Sequence, residues 1–307
     1  MSVDAQQRGK DPKDSIIRMD RLCNLSREKS YDHYELFDWP ETVDEKSFLM
    51  SPQLLSVAET SFVDELSHEQ MVRLSHFEQY NYSSLNTHGE RELIIDVIDR
   101  MHTPKYEIFT EYMHHLVEEE NAHLWFFAQF CKRYGVLYQP KKIVMPSSFP
   151  DDVNDFLVFA RLMIFEEIVV YFNKVMSTDP CLPKIVRDIN RTHFVDESRH
   201  IAFGRDIVGV LYHCINFSSH GDEKELRMNI SNYIKAYING MLRLFYPLHA
   251  YTDAGIPDPY EFRSKLMKSP QRHGFHQKIV SKQVSFFQKR DILLEESLNT
   301  GETIGVL

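Results

Sequence analysis

The chain has 307 residues, 43% hydrophobic and 26% charged, with a formal net charge of −10 at pH 7. That is ordinary globular composition, and the acidic balance argues against partners that are phosphate backbones or anionic lipid surfaces. Only 11 glycines and 13 prolines, and four scattered cysteines without CxxC spacing, argue against loop-rich, sheet-rich and disulfide-framed folds.

Residues 1–50 are polar and mixed, and read as an N-terminal arm, partly disordered at its start, with Trp39-Pro40 as its strong packing anchor. They carry no apolar signal segment, and Cys23, Cys131, Cys181 and Cys214 read as reduced core thiols of a cytoplasmic protein. Residues 51–307 read as a single helical domain, opened by Ser51-Pro52. Apolar residues then recur at helical spacing. One helix is predicted over Leu66–Leu85, and another over Glu90–Met101 with Leu93, Ile94, Val97 and Ile98 on one face. After Thr103-Pro104 a long helix runs from Lys105 to Tyr134 and stops at Gly135, a residue suited to a left-handed C-terminal cap. The next helix covers Asp151 to about Met176, with Ser148 or Asp151 as its cap. Its stretch Phe156–Phe172 is the most apolar in the chain, but Arg161, Glu166 and Glu167 within it exclude a membrane span. A further helix is predicted over Lys184–Cys214, and two more over 223–249 and 275–297.

Two of these helices carry metal-ligand spacing. Glu120 and His123 form an ExxH; Glu197 and His200 form a second, with His193 one turn earlier on the same face. A single ExxH is commonly a solvated helix face, whereas two on separate long helices match the way di-iron bundles supply ligands, together with one glutamate from each of two other helices. For those two, Glu166 sits among Leu162, Met163, Val169 and Val170, with Glu167 its close competitor. Glu90 shares a face with Leu93, Ile94 and Val97, with Glu78 and Glu92 as alternatives. A carboxylate in such surroundings is costly unless paired or metal-bound. The acidic residue before each ExxH suggests an outer layer: Glu119 reaching His200, Asp196 reaching His123, and Arg199 holding one of those carboxylates. His114, His115, His213, His249, His273 and His276 lack partner spacing and read as surface or packing residues, and Phe126, Phe127 and Phe130 as a core stripe.

At these residues the chain resembles the p-aminobenzoate N-oxygenases of the AurF and CmlI type. The segment Asp196-Glu197-Ser198-Arg199-His200 is also similar to ferritin-like proteins at large, including ribonucleotide reductase small subunits. His193 is the discriminating position, because that family carries a third histidine one turn before the last ExxH glutamate. The resemblance implies an all-α, ferritin-like diiron helix bundle with additional N- and C-terminal helices. It implies two iron ions held by Glu90, Glu120, His123, Glu166, His193, Glu197 and His200, with O2 as co-substrate. It further implies oxygenation of an amine nitrogen through a peroxo-diferric species, to hydroxylamine, nitroso or nitro, in secondary metabolism. The substrate would be an arylamine or an amino-acid-derived amine, free or bound to a carrier protein, in a water-poor pocket lined by Leu116, Phe127, Met163 and Phe203. No ferredoxin or flavin motif is present, so the external electron donor would be a separate reductase. A homodimer is an open alternative to a monomer. Two other readings of the same residues are a diiron hydroxylase or desaturase acting on carbon, and a ferritin-like iron-binding or ferroxidase protein.

Overall fold

Helix α1 (Pro12–Glu28) forms inside the segment expected to be an arm. The computed structural model describes residues 12–139, 143, 145, 148–299 and 303–305, so the disorder expected at the very start lies outside the described residues. On α1, Met19, Leu22 and Cys23 are buried at i, i+3, i+4 spacing while Ile16 and Ile17 are exposed, a stripe too narrow to stand out in the sequence. It packs across the helices α4 and α6 described next.

The remaining helices are α2 (Phe62–Glu65), α3 (His68–Ile98), α4 (Glu107–Tyr134), α5 (Asp151–Met176) and α6 (Lys184–Cys214). They are followed by α7 (Glu223–Leu244), α8 (Leu248–Asp253), α9 (Pro259–Met267), α10 (Pro270–Gln288) and α11 (Glu295–Leu298). Single 3-10 turns sit at Pro52–Leu54, Pro104–Tyr106 and Phe217–Ser219, and no strand occurs among the described residues.

Several boundaries differ from expectation. The two predicted segments at 66–85 and 90–101 are one helix, α3, started by a capping box in which Ser67 and Gln70 bond each other's backbone N–H. The polar residues in its middle do not break it, because Asn86 and Thr87 donate back to the carbonyls of Tyr82 and Ser83. Gly89 continues the helix under the Phe165 ring, where an added Cβ would lie 2.7 Å from Phe165 Cζ. Gly135 is not a left-handed cap: its φ is −165°. It is small because the Tyr80 ring covers it, with an added Cβ only 2.2 Å from Tyr80 Cζ. Pro150, not Ser148 or Asp151, occupies the cap position of α5. The C-terminal region is cut into α7, α8, α9 and α10 by Pro247, Pro259 and Pro270, which stand at helix starts, and the short α11 follows.

The four long helices lie as two pairs, α3 along α4 and α5 along α6, joined through α4–α6 and α3–α5 contacts. Helix α5 is buried nearly all round from Phe156 to Val169, which is why its sequence shows little amphipathic period. Helices α7 and α10 cover α5, and α8 packs on α3. Cys23 and Cys131 are buried free thiols as expected, but Cys181 and Cys214 are exposed, because they fall in a turn and at the end of α6. Among the described residues, no helix is long and apolar enough to cross a membrane.

Candidate metal centre

Each long helix brings carboxylate or imidazole groups to the middle of the bundle. Helix α3 contributes Glu90, α4 Glu120 and His123, α5 Glu166, and α6 His193, Glu197 and His200; all seven are 0% exposed. Their donor atoms fall into three overlapping groups, each within 4.8 Å: Glu120, His123, Glu197 and His200; Glu90, His123 and His193; Glu166, His193 and Glu197. His200 Nδ1 lies 2.9 Å from Glu120 and 3.0 Å from Glu197, and His123 Nδ1 lies 3.2 Å from Glu197. His193 enters with its other nitrogen, Nε2 standing 2.8 Å from Glu197 and 3.4 Å from Glu90.

Most of these atoms are close without being hydrogen-bonded. Both oxygens of Glu90, Glu120 and Glu166, Glu197 Oε1, His123 Nδ1 and His193 Nε2 are buried and lack a hydrogen-bond partner. Buried polar atoms are otherwise nearly always paired, and each orphan costs about 1–3 kcal/mol. Here the orphaned atoms all face the same small volume, which is how ligands for a cation are arranged. Four carboxylates and three imidazoles are also the donor types that iron accepts, and four negative charges balance two divalent ions.

The electrostatics without such ions are correspondingly strained. Burial, together with the neighbouring Glu197, pushes Glu166 well above the usual carboxylate range. Burial pushes Glu90 up to about 7 against the pull of His193. Burial would also raise Glu197, but His200 and His193 beside it hold it well below its ordinary value.

Behind the imidazoles lies an outer layer. His200 Nε2 is 2.7 Å from Glu119, and His123 Nε2 is 3.1 Å from Asp196. Arg199 Nη2 donates to both carboxylates at 2.6 Å, where the sequence suggested only one, and its Nε donates to Ser26 at 3.1 Å. Tyr31 donates its hydroxyl to Asp196 at 2.7 Å. Ser26 and Tyr31 belong to the segment expected to be an arm, so that segment completes the outer layer. His193 differs from the other two histidines in having a carboxamide behind it: Asn173 on α5 lies 2.6 Å from Nδ1 and is itself bonded to Tyr82.

The competing acids go elsewhere. Glu78 accepts from the Ser56 backbone and hydroxyl, Glu167 pairs with Arg205 at 2.6 Å, and Glu92 is exposed. His114 faces His102 on the surface, whereas His276 is buried between Tyr246 and the Gly305 carbonyl.

The model of the family P-aminobenzoate N-oxygenase AurF matches residues 14–291. The chain belongs to the AurF family. No curated protein matches it. As a member of the AurF family the protein is a non-haem diiron N-oxygenase with a ferritin-like helical fold. The match begins within α1 and ends just beyond α10.

The four residues suggested for a substrate pocket, Leu116, Phe127, Met163 and Phe203, are fully buried. Phe127 stands edge-on to His193 with ring centroids 4.9 Å apart, Phe203 packs on Tyr112, and Met163 packs over Gly204. They do not line the pocket between Glu78, Phe172, Tyr246, Arg272 and His276. Sequence reasoning missed Asn173, Tyr82, Tyr31 and Ser26. Asn173 follows Glu166 by seven residues and Tyr82 precedes Glu90 by eight, so helical spacing from the two lone glutamates was the signal available for both.

Proposed function

We propose that this chain oxygenates the nitrogen of a small primary arylamine, with two iron ions held by Glu90, Glu120, His123, Glu166, His193, Glu197 and His200. The convergence of orphaned carboxylate and imidazole atoms on one volume, from four helices, carries this reading. When bound, the irons supply the reduction of O2 and the delivery of one of its oxygen atoms to nitrogen. The first oxygenation balances as amine plus O2, two electrons and two protons giving hydroxylamine and water, so an external two-electron supply is required. We assign that supply to a separate reductase. Further oxidation of the hydroxylamine, and delivery of the substrate on a carrier protein, extend the same reading.

The chain's own residues prepare the site. Glu119 and Asp196 accept the outer N–H of His200 and His123, which leaves the Nδ1 lone pairs of those rings aimed inward. Arg199 ties the two carboxylates together and neutralises part of their charge. Phe126, Phe127 and the other buried aromatics around the rings exclude water from the volume between the carboxylates. His193 is the feature that favours N-oxygenation over carbon hydroxylation or iron storage, because it adds a neutral donor beyond the two ExxH pairs.

The test is elemental analysis of iron-reconstituted protein beside a single turnover with chemical reductant, O2 and p-aminobenzoate. Two irons per chain and conversion of the amine to its hydroxylamine, nitroso or nitro form are expected. Trace metal after reconstitution would refute the ligand set. Full iron loading without conversion of p-aminobenzoate or a panel of other arylamines would refute the substrate class.

A further inference from the structure

Each ring at the centre has one nitrogen facing inward and one held from outside, and the three outside partners are not alike. His123 and His200 rest on carboxylates, while His193 rests on the neutral carboxamide of Asn173. All the groups of this second arrangement are buried: Asn173, His193 and Tyr82 are each 0% exposed. An unpaired polar atom there would be costly.

Two hydrogen-bond patterns of Asn173, Tyr82 and His193 Nδ1 fit the same heavy-atom positions. In the first, the carboxamide N–H donates to His193 Nδ1 at 2.6 Å and Tyr82 O–H donates to the carboxamide oxygen at 2.5 Å. The imidazole proton is then on Nε2, which lies 2.8 Å from Glu197 without a hydrogen bond to it. In the second, the proton is on Nδ1 and donates to the carboxamide oxygen, the carboxamide N–H donates to the Tyr82 oxygen, and Tyr82 O–H donates to the Val169 carbonyl, 3.3 Å away. The two differ by half a turn of an amide whose ends have the same shape. Only the second leaves the Nε2 lone pair free to bind a cation.

We propose that Asn173, backed by Tyr82, is the positioning residue for His193, selecting the Nδ1–H tautomer when a metal ion is held by turning its carboxamide oxygen towards the ring. The Val169 carbonyl is what makes this possible, since it gives Tyr82 a second acceptor and leaves neither Tyr82 nor the carboxamide unpaired in either pattern. The inference rests on His193 being a ligand, as proposed above. It assigns to this histidine an uncharged partner, so that His193 lacks the push an anion gives His123 and His200.

The experiment uses the full chain with 15N-labelled histidine and Zn2+ as a diamagnetic probe. Zinc addition to wild type is expected to convert the His193 signals to a protonated Nδ1 and a metal-bound Nε2. Asn173→Leu should weaken the binding of zinc in a chelator competition by about 10- to 100-fold. Asn173→Asp should restore it to within a few-fold, because a carboxylate accepts from both Nδ1–H and Tyr82 O–H. A merely structural role would let neither variant bind as wild type, and would leave the nitrogen signals of bound His193 unchanged in both. If Asn173→Leu does not fold, Tyr82→Phe, which removes only the backing phenol, is expected to lower affinity several-fold and to leave both His193 tautomers visible with zinc. Unchanged affinity and unchanged tautomer in Asn173→Leu, or in Tyr82→Phe where that is the variant measured, overturn the proposal. If instead the His193 signals of wild type do not respond to zinc at all, it is the ligand assignment that has failed.

Discussion

Replacing Arg199 by methionine tests the outer layer where most of its charge meets. The guanidinium has 7% side-chain exposure and bonds Glu119 and Asp196, whose side chains are 10% and 2% exposed. Methionine keeps much of the side chain's length and apolar body but leaves two buried carboxylates without their shared cation. Removing one partner of a buried pair costs about 3–5 kcal/mol. Both carboxylates retain a histidine, so the lower end, about 3 kcal/mol, is the expected loss. Against a total stability of about 5–15 kcal/mol that is a large fraction. At about 2–4 °C per kcal/mol it lowers the melting temperature by roughly 6–12 °C. The loss should extend to the ions, since His123 and His200 are oriented through those carboxylates, and metal affinity should fall by about 10- to 100-fold. Calorimetry of the apoprotein and a chelator competition on the same preparation measure the two effects. A melting point within about 2 °C of wild type, together with unchanged affinity, would show that Arg199 does not organise the layer.

Glu120→Ala or His200→Ala should abolish stoichiometric iron binding, whereas His114→Ala, on an exposed ring, should leave iron content and turnover unchanged; equal iron in wild type and Glu120→Ala would refute the ExxH assignment. Burial raises Glu78 from 4.5 to about 7, so its contribution to stability is present below about pH 4.5 and lost as pH rises to about 7. Glu78→Gln should therefore melt higher than wild type at pH 8, by up to roughly 3 kcal/mol, with the advantage vanishing near pH 4.5; a pH-independent difference would refute the argument. Gly135→Ala must displace the Tyr80 ring and should cost about 1–3 kcal/mol in a denaturant titration, with a much smaller cost in a Tyr80→Ala background.

The two ExxH pairs and His193 were legible because helical spacing is a local property: residues three, four and seven apart share a face whatever the helix packs against. The helices that carry them were legible for the same reason, and α5 and α6 run between the expected ends. The lone glutamates were a different matter. Glu166 and Glu167 are adjacent on a helix buried nearly all round, so apolar neighbours cannot separate them; the separation comes from Arg205 on α6, which takes Glu167. Glu78 and Glu90 both lie on buried faces of α3, and it is the Ser56 loop, far from either in sequence logic, that takes Glu78.

What the sequence did not place around the imidazoles has one cause: a partner brought from another element. Tyr31 reaches Asp196 across 165 positions, and Ser26 reaches Arg199 across 173. Asn173 looks like any polar residue near a helix end until the packing of α5 on α6 sets its amide against His193. Local periodicity therefore determined which helices form and which faces carry donor groups. Only the packing of those faces decided which carboxylates meet the imidazoles, because a buried charge goes to whichever compensating group the tertiary structure sets within hydrogen-bond reach.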